Sequence, residues 1–272
     1  MRRIFALLFI TLFSHSCLGQ ELIIPSGTVI CDRIQAPHGY EREKTEPSSF
    51  AKYLRNLPLK KHGSEVKYFD GRVKTNYDVY EAVVDLSIGN KDLHQCADAV
   101  MRLRADYLWQ NERYEDIHFN FTNGMRVDYV EWMKGKRMVV QGNRTYWQDA
   151  AQASNDYSDF WNYMELIFMY AGTHSLSKEL LKVDWNDMQI GDVLIQGGFP
   201  GHAVIVLDML KETATGKQLF LLGQSYMPAQ ELQVLSNPSE PFSPWYSLGA
   251  GGVIATPEWT FSSDNLMRFT GQ

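Results

Sequence analysis

The spacing of apolar positions changes along this chain, and the change predicts its elements. Leu93, Cys96, Ala97, Val100, Leu103 and Tyr107 follow the period of one helical face. Asp92 and Gln95, three residues apart, match a capping box, so the helix is expected to begin at Asp92. Cys96 then lies about one turn in, on the core-facing side, with Arg102, Arg104 and Asp106 directed elsewhere. A second long helix is predicted over 154–170, where Phe160, Trp161, Met164, Ile167 and Phe168 fill most faces and Gly172 supplies the stop. Shorter helices are predicted over 48–55, capped by Ser48 or Ser49, and over 175–181. Downstream the pattern turns to short apolar runs at 193–195, 202–208, 219–222 and 232–235, which read as strands. Thr215-Gly216 marks the turn between the middle two, and 80–88 is also β-rich. Helices first and strands later predict an α+β fold with an antiparallel sheet in the C-terminal half.

The N-terminus differs in kind. Arg2 and Arg3 precede an apolar run over 4–13 that is too short to span a bilayer, and 14–19 is small and weakly polar. This reads as a signal peptide over 1–19, cleaved before Gln20, and implies export to a periplasmic or extracellular space. A second reading acylates Cys17 as a lipoprotein anchor, but Ser14-His15-Ser16 lacks an apolar residue three places upstream of it. No later stretch is apolar enough to be an integral membrane segment. Residues 20–79, punctuated by Pro25, Pro37 and Pro47, read as an N-terminal extension. The α+β domain covers 80–272, with an insertion around 110–185. Removing 1–19 takes away Arg2 and Arg3 and no acid, so the net charge moves from -6 to -8. An acidic chain of this kind argues against a nucleic-acid partner.

Export bears on the cysteines. Once Cys17 has left with the signal, Cys31 and Cys96 remain, and Cys96 has three readings: a disulfide with Cys31, a buried inert thiol, or a nucleophile. The third draws its support from downstream. Ile190-Gly191-Asp192 leads into one apolar strand, and Pro200-Gly201-His202 opens the next. The partial positive charge of a helix start favours a thiolate, and a histidine on a strand is a base held by a rigid element. Antiparallel pairing of the strand that begins at His202 with the one that ends at Gln224 brings those ends together, so the amide can orient the imidazole. Cys96, His202 and Gln224 are therefore the candidate catalytic set. Around them, Gln95 is a candidate oxyanion donor beside the Cys96 amide, and Gly201 leaves room for a substrate. Ser225 and Tyr226 follow Gln224 at the mouth, and Asp192 either holds the Gly-Asp turn or lines the cleft. His94, two residues from Cys96, points to another helix face; His118 and His174 are isolated. No His/Cys/Asp/Glu cluster has a metal-site spacing, and the chemistry calls for no cofactor.

In this order, Cys96, Gly191-Asp192, His202 and Gln224 resemble the corresponding parts of the NlpC/P60 and CHAP amidases of the papain-like superfamily. That resemblance implies a papain-like core, in which a cysteine-bearing helix packs on an antiparallel sheet, here with an N-terminal extension and a helical insertion. It also implies a cysteine amidase or peptidase acting on a peptide or peptidoglycan-like substrate of the cell envelope. Two features depart from the amidase pattern. The usual Asp-Cys or Asn-Cys followed by Ser-Gly is replaced by Gln95-Cys96-Ala97-Asp98, and 106 positions separate Cys96 from His202. Over most of the mature chain the sequence is also similar to the DUF4846 family of exported bacterial proteins. The stretches that carry this are 92–104, Pro200-Gly201-His202-Ala203-Val204 and Gln224-Ser225-Tyr226-Met227-Pro228-Ala229-Gln230. The alternative function is a non-catalytic envelope binding protein that keeps the fold and the cleft.

Overall fold

A strand that is apolar at every position, rather than at every second one, needs cover on both faces. His202–Glu212 is such a strand from Ala203 to Leu207, is buried without interruption from His202 to Leu210, and forms the middle of the central sheet. The protein is described by a computed structural model covering residues 20–248 and 250–272; residues 1–19, read as a signal peptide, and Cys17 among them lie outside the described residues. The sheet has eight strands: β1 (Tyr40–Arg42), β2 (Tyr80–Val83), β3 (Leu181–Lys182), β4 (Val193–Gln196), β5 (His202–Glu212), β6 (Gln218–Gln224), β7 (Gln233–Leu235) and β8 (Leu266–Arg268). Their order is β2-β7-β6-β5-β4-β8-β3, and every pairing is antiparallel. β6 occupies one edge of β5; β4 and β1 share the other, β4 beside its start and β1 beside its end. The architecture is thus α+β with an antiparallel sheet.

Four helices matter for the site: α1 (Phe50–Arg55), α2 (Cys96–Gln110), α3 (Tyr157–Tyr170) and α4 (Thr173–Glu179). Ser49 caps α1 by accepting the Lys52 N–H, and Asp156 caps α3 by accepting that of Asp159. α2 packs against β5 and is buried from Ala97 through Leu108. The expectation that Arg102, Arg104 and Asp106 face away from the core is therefore corrected. They are interior, and each charge has an answer there. Arg102 pairs with Asp106 at 2.9 Å, donates to the Ser87 carbonyl at 2.6 Å and lies over the Trp161 ring. Arg104 lies among Phe50, Tyr107 and Phe269 and donates to the carbonyls of Thr270 and Gly271.

The segment read as an extension enters the same core. Ile30, Ile34, Leu54 and Leu57 are buried in it, and β1 is a strand of the sheet. Fully buried Asp208 on β5 ties this segment down, accepting from Arg42 at 2.8 Å and Arg55 at 2.6 Å. Within 110–185 the apolar spacing does not reveal one hairpin, Lys136–Gln141 with Arg144–Asp149. Few of its side chains are buried, so it shows no clear alternation.

Candidate active site

Cys96 owes its place to the way α2 begins. Gln95, in extended backbone, is the residue before the first helical one, and the Asp98 carboxylate accepts its N–H at 2.9 Å. The cap is therefore Gln95 rather than Asp92, and Cys96 is the first residue of α2 rather than one turn in. Asp92 works outside the helix. It accepts the Gln95 side-chain N–H at 3.1 Å and the Ala229 N–H at 2.7 Å, joining the helix start to the loop that follows β6.

That loop and β5 complete the cleft, whose volume is about 370 Å³. Cys96, His202, Tyr226 and Trp259 all line it, together with Gln95 and Asp98. The backbone N–H groups of Ala97, Ala203 and Cys96 itself favour the ionised form of the Cys96 sulfur. The His202 ring is 1% exposed and lies among Tyr226 (4.8 Å between centroids), Trp259 (5.3 Å) and Phe261 (5.9 Å). Its Nε2 lies 2.8 Å from Oε1 of Gln224. The pairing of β6 with β5 runs to Gly223 opposite Ile205. Continued by one residue, it sets Gln224 opposite Val204, two places from His202 and on the same face, within the span of a long side chain.

Cys96 and His202 both rest neutral. Burial pushes the Cys96 thiol up to about 11, with the Asp98 carboxylate adding to it and the three N–H groups opposing. Burial pulls His202 down to about 4, against the Gln224 hydrogen bond and the Glu258 carboxylate. The helix start therefore does not leave Cys96 as a thiolate: desolvation outweighs the dipole at this depth. Moving the proton from sulfur to imidazole would create opposite charges across the cleft, whose attraction offsets part of the desolvation of each. Cys31 and Cys96 are both free thiols.

The surrounding candidates divide. Tyr226 lines the cleft as expected. Gln95 lines it too, with one side-chain N–H engaged by Asp92. Gly201 lines it for a different reason from the one expected. A Cβ there would stand 2.3 Å from Oγ1 of Thr173 and 2.4 Å from the Gly198 carbonyl, so its small size admits the protein's own atoms rather than a substrate. Of the two readings of Asp192, holding the turn stands and lining the cleft is corrected: fully buried, it pairs with Arg268 at 2.6 Å and accepts the Gln189 N–H. Ser225 is likewise internal. Its hydroxyl lies 2.7 Å from the Gln230 carbonyl and 2.9 Å from that of His94, and donates to one of them. His94 is fully buried against Phe168 and does not line the cleft.

Sequence reasoning missed Asp98, Glu258, Lys74, Trp259 and Phe261. Asp98 had a signal, since an acid three residues after Gln95 is a capping pattern. The others come from segments far from Cys96 and His202 in the chain, with no motif to mark them. A separate cavity of about 400 Å³ around Arg104, Tyr107 and Gln272 is lined by no cysteine or histidine. Among the described residues, no group of three or more His, Cys, Asp or Glu is arranged to hold a metal ion, and no helix is long and apolar enough to cross a membrane.

A family model described as a domain of unknown function, DUF4846, matches residues 30–268, and the chain belongs to that family. No curated protein and no solved structure matches the chain.

Proposed function

We propose that this member of the DUF4846 family is an exported cysteine hydrolase with a papain-like core, cutting an amide bond in a peptide of the cell envelope. One observation carries the reading. A cysteine at the first position of a buried helix shares a cleft with a histidine whose Nε2 is held by an amide. In the reaction, Cys96 Sγ attacks the carbonyl carbon while its proton passes to His202. The Cys96 N–H, at the open end of α2, and the free N–H of the Gln95 side chain are the available donors for the oxyanion. His202 then gives its proton to the departing amine, leaving a thioester on Cys96. A water molecule, deprotonated by His202, releases the acid and restores the thiol. Export rests on the signal-like N-terminus, and the envelope substrate on the resemblance to the amidases.

A second reading has its own observation. A thiol held near 11 beside an imidazole held near 4 also suits a cleft that binds without cutting. Incubation with a panel of cell-wall peptides, followed by mass spectrometry, separates the two. Hydrolysis adds one water to the peptide and is absent in Cys96→Ala. Equal binding by both proteins with no peptide cleaved supports the binding protein.

A further inference from the structure

We propose that Glu258, held by Lys74, is a positioning residue that fixes which end of the Gln224 amide faces His202 and so sets the tautomer of the imidazole. The two ends of a carboxamide have nearly the same shape, and only their partners decide which way it points. Gln224 is 1% exposed, so water does not decide it. Its Nε2 donates to Oε2 of Glu258 at 2.7 Å. The same oxygen accepts from Nζ of Lys74 at 2.7 Å, and Lys74 is 3% exposed. An ionised carboxylate only accepts hydrogen bonds, and a lysine ammonium only donates them. The Gln224 nitrogen must therefore face Glu258, and its oxygen must face His202. An amide oxygen accepts, so His202 Nε2 must carry the proton. In a neutral imidazole that leaves Nδ1 with the lone pair, and Nδ1 makes no hydrogen bond to a described residue. Nδ1 is then the atom that takes the Cys96 proton.

The four residues come from four parts of the chain. Lys74 lies before β2, His202 opens β5 and Gln224 closes β6. Glu258 sits in the turn between the hairpin strands Val253–Ala255 and Thr260–Ser262. That arrangement gives the C-terminal hairpin a role beyond packing Trp259 and Phe261 on the ring: it delivers the charge that orders the amide. The part played by Nδ1 rests on the cysteine-hydrolase reading, whereas the tautomer itself does not.

The test is a two-bond proton–nitrogen NMR spectrum of the full chain labelled with [15N]histidine, near pH 7, with His202 assigned by loss of its signals in His202→Gln. The wild type is expected to show one tautomer, protonated at Nε2. Removing both charges, in Lys74→Met with Glu258→Leu, is expected to give a mixture of tautomers and to slow alkylation of Cys96 by iodoacetamide roughly tenfold at that pH, a loss within what a positioned base contributes. Glu258→Gln, which still offers an accepting oxygen, is expected to keep the wild-type tautomer. A wild-type ring protonated at Nδ1 overturns the proposal, whether or not the double variant folds. So does a folded double variant that keeps the wild-type tautomer. Expected tautomers together with Cys96 labelling that is indifferent to His202 leave the positioning role standing and remove the hydrolase reading.

Discussion

Gln224 reaches His202 diagonally across the β5–β6 pair, with Oε1 2.8 Å from Nε2. A diagonal neighbour is farther than a directly opposed one, so the contact depends on side-chain length. Gln224→Asn, one methylene shorter, is expected to lose the contacts with both His202 and Glu258. Buried groups left without partners should cost about 1–3 kcal/mol in urea denaturation. An unchanged midpoint would show that the interior relaxes to restore them.

Cys96 should behave as a buried thiol whose reactivity depends on a base. With its pKa raised to about 11 by burial and Asp98, direct thiolate alkylation should be slow near pH 6 and climb through about pH 10. At neutral pH the remaining reaction runs through His202. His202→Ala should therefore slow iodoacetamide labelling tenfold or more, within the roughly 10²–10⁴-fold that a positioned base contributes at most, near pH 7 but hardly at all near pH 10. Fast, pH-independent labelling at pH 6 would mean a resting thiolate–imidazolium pair and overturn the neutral assignment.

His94 predicts an acid-sensitive fold. Burial pulls its pKa down to about 3, and its ring nitrogens have no hydrogen-bond partner among the described residues. The unfolded chain takes up this proton near pH 6.5 and the folded chain only near 3. The unfolded state thus binds more protons in between, and stability falls as pH drops through that window. The loss from this group should be about 2 kcal/mol between pH 6.5 and pH 5. His202, pulled down to about 4, acts in the same direction. Glu179, raised to about 7 by burial, acts in the opposite one: its protonated form stabilises the fold at low pH, and that stability is lost as pH rises through 7. The comparison is therefore between His94→Leu and wild type at each pH. The variant should have a flatter acid limb; parallel curves would show that His94 does not contribute.

Asp208 should hold the N-terminal segment to the sheet. It is fully buried and receives both Arg42 and Arg55. Asp208→Asn leaves two guanidinium groups without a counter-charge and should cost about 3–5 kcal/mol. Limited proteolysis should then cut within 20–47 before it cuts the sheet. A loss below about 1 kcal/mol would mean that β1 pairing alone anchors the segment. By the same reasoning, a chain beginning at residue 80 should not fold, because Ile30, Leu54 and Leu57 belong to its core.

Much of the scaffold was legible from one-dimensional pattern. The helix over 154–170 is observed as Tyr157–Tyr170, and the apolar run at 202–208 as the start of β5. Thr215-Gly216 does turn β5 into β6, and Gly216 takes the positive φ that such a turn needs. The candidates Cys96, His202 and Gln224 were readable because each sits at the end of an element, where local signals are strongest. Ser225 was misread and Asp192 left open because their types suit a cleft equally well, and only their neighbours, Arg268 and the Gln230 and His94 carbonyls, show that they are spent internally.

The sequence by itself determined local matters: helical or extended backbone, the residue classes at element ends, and the α+β order of segments. These follow from periodicity and caps, which act over a few residues. Tertiary structure alone decided that α2 is buried on every side, that Cys96 rests as a thiol and His202 as a neutral imidazole, and that Lys74 and Glu258 stand behind Gln224. Those depend on desolvation and on charges brought together from residues 74, 96, 202, 224 and 258. Both act through space at a few ångströms, whatever the separation along the chain.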